Sequence, residues 1–179
     1  MNSQIKIVIS GGGTGGHLFP ALAIRDEINN RYPKSSIHYI GSKFGIEKDV
    51  LPIKNISHSL LPIRGFQRSI NFRSFGKNIL LPLRVFSSII KVKKLFDEIN
   101  PNLVIGTGGY AAAIPLREGI SRGIPTLIQE QNSYPGLTTR WFSKQANKVC
   151  IAFEDAKTFI NNKSVLSGNP IRKEINKGN

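Results

Sequence analysis

Two glycine-rich stretches, a polar triplet and a run of bases carry most of the chemistry that this sequence could perform. In Ser10-Gly11-Gly12-Gly13-Thr14-Gly15-Gly16-His17, five glycines precede a histidine. Glycines let the backbone approach a ligand closely, and the free N–H groups of a helix start attract negative charge, so the chemistry is that of a phosphate or sugar-phosphate site; the alternative is a tight turn. Gly11, Gly13 and Gly16 match the letters of a dinucleotide fingerprint. The strand that should then supply a ribose-binding acid ends instead in Gly41-Ser42, which disfavours a nicotinamide cofactor. His17 stands where a Walker loop needs lysine, which excludes that reading too.

A second loop, Gly106-Thr107-Gly108-Gly109-Tyr110, has the same setting between a buried strand and a helix. Two such loops at the carboxyl ends of parallel strands face one crevice, where open α/β sheets bind ligands. A helix entry needing positive φ would require one glycine and not three. At a helix start the dipole favours a neutral imidazole, so His17 is a candidate general base, its rival being a hydrogen-bonded loop histidine. Glu130-Gln131-Asn132 follows a strand and by itself reads as a surface turn. Trp141 and Phe142 read as packing and Cys150 as inert core. His17, His38 and His58 lack ligand spacing and the cysteine is single, so no metal site is expected.

The elements that must position these groups are legible from periodicity. Ile5–Ile9, Ile37–Gly41, Leu103–Ile105, Thr126–Ile128, Val149–Ile151 and Val165–Ser167 are short apolar runs with strand character, and a further strand starts near Ser57. Helical spacing follows the first glycine loop, with Pro20 placed early, where a missing N–H costs little. It returns over 79–99, ended by Asn100-Pro101, over about Ala111 to Arg122, and from the turn Pro135-Gly136 through Trp141. Strands alternating with helices predict a Rossmann-like α/β fold, a parallel sheet with helices on both faces.

Composition narrows the partners. The 179 residues carry 25 bases against 11 acids, a formal charge of +14, and no acid occurs between Asp49 and Asp97. Lys54, Arg64, Arg68, Arg73, Lys77, Arg84, Lys91, Lys93 and Lys94 all fall in that gap, so the positive field is local. Over 79–99, apolar residues repeat every three to four positions while Lys77, Arg84 and Lys91 recur every seven. This predicts an amphipathic helix with a basic stripe, suited to an anionic membrane surface better than to nucleic acid, for which no module is present. No run approaches the ~18 apolar residues of a membrane span.

Taken in order and register, Gly11–Ala21, Gly106–Tyr110, Glu130–Asn132 and Gly168-Asn169-Pro170-Ile171-Arg172 resemble the MurG family. These bacterial transferases move N-acetylglucosamine from its UDP sugar to undecaprenyl-pyrophosphoryl-N-acetylmuramoyl-pentapeptide in peptidoglycan synthesis. The resemblance implies the N-terminal half of a GT-B glycosyltransferase. Residues 1–172 would form the acceptor-binding, membrane-associated domain and 173–179 the start of an interdomain linker, with the donor-binding domain absent and supplied in cis or in trans. By itself the chain would then be inactive. The resemblance gives His17 the catalytic role and Thr14, Gly15, Gly16, Asn132 and Arg172 contacts to the UDP-N-acetylglucosamine donor. Gly13, Arg64, Gly108, Gly109, Tyr110, Glu130 and Gln131 would serve the lipid-linked acceptor. Ile79, Leu80, Leu83, Arg84, Phe86, Lys91 and Lys94 would meet the cytoplasmic face of the inner membrane. It implies an inverting displacement with no cofactor. Ala111-Ala112-Ala113-Ile114-Pro115 departs from the family, which often has another glycine there. A split glycosyltransferase using this chain as a non-catalytic membrane-recruiting subunit is the competing reading.

Overall fold

The computed structural model describes residues 4–65, 79–160 and 164–171. Seven parallel strands form one sheet in the order β3-β2-β1-β4-β5-β6-β7. They are β1 (Lys6–Ser10), β2 (Ser36–Ser42), β3 (His58–Leu61), β4 (Leu103–Gly106), β5 (Thr126–Glu130), β6 (Lys148–Ile151) and β7 (Ser164–Leu166). The expected parallel α/β architecture is therefore present. Chain order reverses between β1 and β4, the point at which two successive crossovers leave on opposite faces and open a crevice at the strands' carboxyl ends.

Alternation along β1 builds a core on each face. Ile7 and Ile9 point to one side with Leu18, Ala21 and Leu22 of α1 (Gly15–Arg31) and Leu51 of α2 (Glu47–Ile53). Val8 points to the other, with Val92 and Phe96 of α3 (Leu81–Ile99) and Leu116 of α4 (Gly109–Ser121). Strands buried on both sides are what continuous β-branched runs such as Ile-Val-Ile require. Asn100 ends α3 in the left-handed conformation (φ +50°), and Pro101 prevents its continuation.

Five details differ from expectation. Pro20 lies in the second turn of α1, so the carbonyl of Gly16 lacks an i+4 donor. The helix α2 and a 3₁₀ turn at Glu154–Phe159 are additional; both are too short for a periodic signature. Cys150 is half-buried rather than core, on a strand whose Val149 and Ile151 are buried. Helix α3 is apolar on two faces. Ser88, Val92 and Phe96 pack inward, whereas Ile79, Leu83, Phe86 and Ile90 are each more than half exposed. The basic residues do not form the free stripe expected. Arg84 is half-buried over the Phe44 ring and Lys91 is half-buried with its Nζ donating to the Leu60 carbonyl at 2.9 Å, while Lys93 and Lys94 are exposed. Arg68, Arg73, Lys77, the expected linker 173–179 and the donor candidate Arg172 lie outside the described residues.

Candidate active site

Both glycine loops lie at the carboxyl end of the sheet, one after β1 and one after β4, and they touch. Gly109 has φ +73°, and a Cβ there would run into the Gly12 carbonyl oxygen and lie 3.0 Å from His17 Cδ2. At Gly108 a Cβ would be 2.9 Å from His17 Nδ1, and at Gly106 2.6 Å from Leu116 Cδ1. Each glycine of the second loop thus makes room for a different neighbour, which one glycine alone could not do. Replacing Gly109 by Ala is expected to cost about 2 kcal/mol or more, read as a lower urea midpoint. An unchanged midpoint would mean that the loops are not locked together.

The imidazole of His17 is held by its Nδ1, which lies 3.0 Å from the Thr107 carbonyl oxygen and 3.1 Å from Gln131 Oε1. A carbonyl oxygen can only accept, so Nδ1 is the donating nitrogen, and in the neutral ring this tautomer leaves the lone pair on Nε2. Among the described residues Nε2 has no partner. Gln131 is fixed in turn: its Nε2 donates to the carbonyls of Thr107 (2.9 Å) and Gln129 (3.0 Å) and to Gln129 Oε1. Thr107 closes the arrangement, its hydroxyl donating to the His17 carbonyl at 2.7 Å. This is the geometry of a general base with its tautomer set by the protein.

A cleft of about 500 Å³ opens beside this histidine. Its lining includes His17, Arg64, Gly108, Gly109, Tyr110 and Trp141. Sequence separations of more than 120 residues are brought together here. Tyr110 is wedged between the loops: a Cβ on Gly13 would meet its ring at 2.6 Å, and one on Gly65 at 3.0 Å. Burial pushes its phenol above the usual value, partly offset by a hydrogen bond with Ser42 and by Arg64, so it stays protonated at neutral pH. Trp141 is 62% exposed and faces the cleft instead of packing, because α5 (Leu137–Phe142) turns Phe142 inward and leaves its neighbour outside.

Other sequence candidates have internal partners. Glu130 is buried, its Oε1 accepting from Asn132 N–H (3.1 Å) and Asn132 Nδ2 (2.8 Å) and its Oε2 from Gly136 N–H (3.0 Å). It shapes the turn that carries Asn132 and is outside the cleft lining, as are Gln131 and Gly13. Thr14, Gly15 and Gly16 form the start of α1, with Thr14 and Gly16 exposed, and Asn132 is exposed past the end of β5.

Glu47 escaped the sequence reading. Its side chain is fully buried, and its carboxylate accepts the Gly13 N–H (3.0 and 3.1 Å) and the Ser42 N–H (2.9 Å). The space around it is reserved by absent side chains, since a Cβ at Gly12, Gly41 or Gly45 would collide with it. Glu47 comes five residues after β2, so the acid missing from the strand end does exist, but it is turned under the first glycine loop. Its carboxylate occupies the Gly13 amide, and the His17 N–H bonds to the Thr14 carbonyl at 3.2 Å, which leaves the Gly15 and Gly16 amides at the start of α1 as donors for a ligand.

A parallel sheet in this order, with paired glycine loops over the switch point, is the Rossmann-like half of a GT-B glycosyltransferase. The family model of the glycosyltransferase family 28 N-terminal domain matches residues 7–151, and the chain belongs to that family. It is 42% identical over 176 residues to the UDP-N-acetylglucosamine--N-acetylmuramyl-(pentapeptide) pyrophosphoryl-undecaprenol N-acetylglucosamine transferase of Christiangramia forsetii, covering 98% of this chain and 47% of the relative. To the protein of the same name from Bacillus subtilis it is 41% identical over 172 residues, covering 96% and 46%. The crystal structure of Acinetobacter baumannii MurG superposes with a TM-score of 0.74 at 25% identity, over 97% of this chain and 47% of that one. The chain spans about half the length of the relatives that it matches.

Proposed function

We propose that this chain is the acceptor-binding half of an inverting N-acetylglucosaminyltransferase that acts on undecaprenyl-pyrophosphoryl-muramoyl-pentapeptide with UDP-N-acetylglucosamine as donor. The observation that carries the reading is the His17 imidazole, with Nδ1 anchored and Nε2 free, on the wall of a cleft built by both glycine loops. In the mechanism this supports, Nε2 takes the proton of the acceptor hydroxyl as its oxygen attacks the anomeric carbon, inverting that centre. The glycosyl–phosphate bond breaks and UDP leaves. The first-turn amides of α1 at Thr14–Gly16 stabilise negative charge on the diphosphate that departs. Tyr110 and Arg64 line the acceptor side, and Glu130 holds Asn132 at the donor edge. Donor contacts from a second domain complete the site, in cis or in trans. Among the described residues no three His, Cys, Asp or Glu side chains gather to hold a metal ion.

The reading is tested by binding of a short-chain, water-soluble form of the lipid-linked acceptor to the chain. Saturable binding that Tyr110→Ala weakens supports it; acceptor binding no tighter than that of the free lipid diphosphate removes it.

We further place the domain on a membrane surface, through Ile79, Leu80, Leu83 and Phe86 at the exposed side of α3 with Lys94 beside them. The support is that Ile79, Leu83 and Phe86 are each more than half exposed, with Leu80 exposed beside them, and that no acid stands between Asp49 and Asp97. No helix among the described residues is long and apolar enough to cross a membrane. The cytoplasmic side rests on the family resemblance alone. Changing both Leu83 and Phe86 to Asp is expected to reduce binding to vesicles containing anionic lipid by about tenfold or more, measured by flotation, with the melting temperature kept. Unaltered flotation would remove the membrane assignment.

A further inference from the structure

Arg64 and Arg84 come from different elements, yet both guanidinium groups lie over one ring, 3.8 and 5.1 Å from the centre of Phe44. Nε of Arg64 and Nη1 of Arg84 are shut off from solvent without a hydrogen-bond partner. Neither residue has an ion pair among the described residues. An aromatic face attracts a cation but does not saturate its N–H groups, and a guanidinium cannot escape the cost by losing its proton. Two like charges with buried, unsatisfied donors are the arrangement that an anion would complete.

The surroundings are built to hold this geometry. Ser42, fully buried, accepts the Phe44 N–H on its Oγ at 2.9 Å and donates that hydroxyl to the Ile63 carbonyl at 2.7 Å. The ring and the backbone preceding Arg64 are thereby fixed to each other. Arg64 lines the cleft; Arg84 is outside the lining itself and adjoins it on α3, next to the lining residue Val85. Lys91, about two turns along the same helix, adds positive charge, and the sequence supplies no acid between Asp49 and Asp97 to oppose it.

We propose that Arg64 and Arg84, held on Phe44, form an anion subsite at the cleft wall that takes a phosphate or diphosphate group. Two planar forks offering N–H donors suit phosphate oxygens in a way that lysines do not. The identification of its source as the diphosphate of the lipid-linked acceptor rests on the function proposed above. Arg84 then serves the acceptor diphosphate from the edge of the cleft and not the membrane face.

Isothermal titration of the full chain with inorganic pyrophosphate at low ionic strength reads the subsite directly. R64Q and R84Q are each expected to weaken binding about tenfold or more, while K148Q, an equal change of charge at an exposed lysine on β6, stays within about twofold. R84K keeps the charge but not the fork and is expected to lose about threefold or more. In the wild-type chain the Arg64 Nε–H resonance is expected to shift on titration, a readout that needs no variant to fold. Flotation on vesicles of phosphatidylglycerol and phosphatidylcholine separates the sources: R64Q and R84Q are expected to float as wild type does. Unchanged pyrophosphate affinity in both variants with an unmoved Arg64 resonance overturns the subsite. So does loss of flotation without loss of pyrophosphate affinity, which would assign the pair to lipid headgroups. Pyrophosphate binding that the variants lose, together with failure of wild type to bind the lipid-linked acceptor, keeps the subsite and removes the acceptor reading.

Discussion

Replacing His17 by Ala is expected to lower the turnover of the completed transferase by two to four orders of magnitude, the range typical for loss of a positioned general base. The Michaelis constant for UDP-N-acetylglucosamine should stay within about threefold, because the imidazole faces the acceptor and its loss removes an interaction made in the transition state. The geometry makes a second, graded expectation. Gln131 touches His17 only through Nδ1 and lies outside the cleft lining, so it is a positioning residue. Gln131→Leu keeps the Thr107 carbonyl as partner and should reduce turnover by about tenfold, with acceptor affinity retained. Steady-state kinetics of the two variants separate the roles. If His17→Ala loses less than about tenfold, the proton goes elsewhere and the tautomer argument has no bearing on catalysis.

The other large effect concerns stability. Glu47→Ala is expected to destabilise the domain by about 3 kcal/mol, which for a chain of this size lowers the melting temperature by roughly 6–12 °C. Two opposing terms decide the sign. Removing a buried carboxylate relieves its desolvation, but the Ser42 N–H loses its acceptor in a buried place and the Gly13 N–H in a partly buried one, and a cavity remains among glycines that cannot fill it. The second set is larger because the carboxylate serves N–H donors from two separate segments. Glu47→Gln, which keeps one oxygen but presents an amide N–H₂ to a backbone donor, should cost about half as much. Thermal melts measure both. An alanine variant as stable as wild type would show that the first glycine loop holds its shape without the carboxylate.

The frame of the fold was legible because it is local. Ile5–Ile9, Leu103–Ile105 and Thr126–Ile128 are strands by composition, and each glycine loop announces the turn that follows. What periodicity could not provide was orientation. Helix α3 is apolar on two sides, so no rule of spacing tells which of Phe86 and Phe96 meets the core; the sheet decides, by covering Ser88, Val92 and Phe96. Arg84 and Lys91 are seven apart and read as a basic stripe facing a membrane surface, yet Phe44 and the Leu60 carbonyl draw them inward.

The site divides in the same way. His17 stood out for its position after the glycines, but its partners Thr107 and Gln131 are 90 and 114 residues away and their purpose exists only in three dimensions. Glu47 was passed over because its meaning lies in the Gly13 amide 34 residues earlier. The one available hint was a group of glycines at 41 and 45 around an acid with no helix-pairing or turn role. Phe44 offered no signal at all, since an aromatic beside a glycine suits any loop.

The most direct test of the central claim is sugar transfer by residues 1–172 of this chain joined to the C-terminal half of the Bacillus subtilis relative. With UDP-N-acetylglucosamine and the lipid-linked muramoyl-pentapeptide, the account predicts formation of the disaccharide product with inverted anomeric configuration, and its loss when His17 is Ala. A folded hybrid that binds donor but transfers no sugar, beside an active parent enzyme, would contradict it.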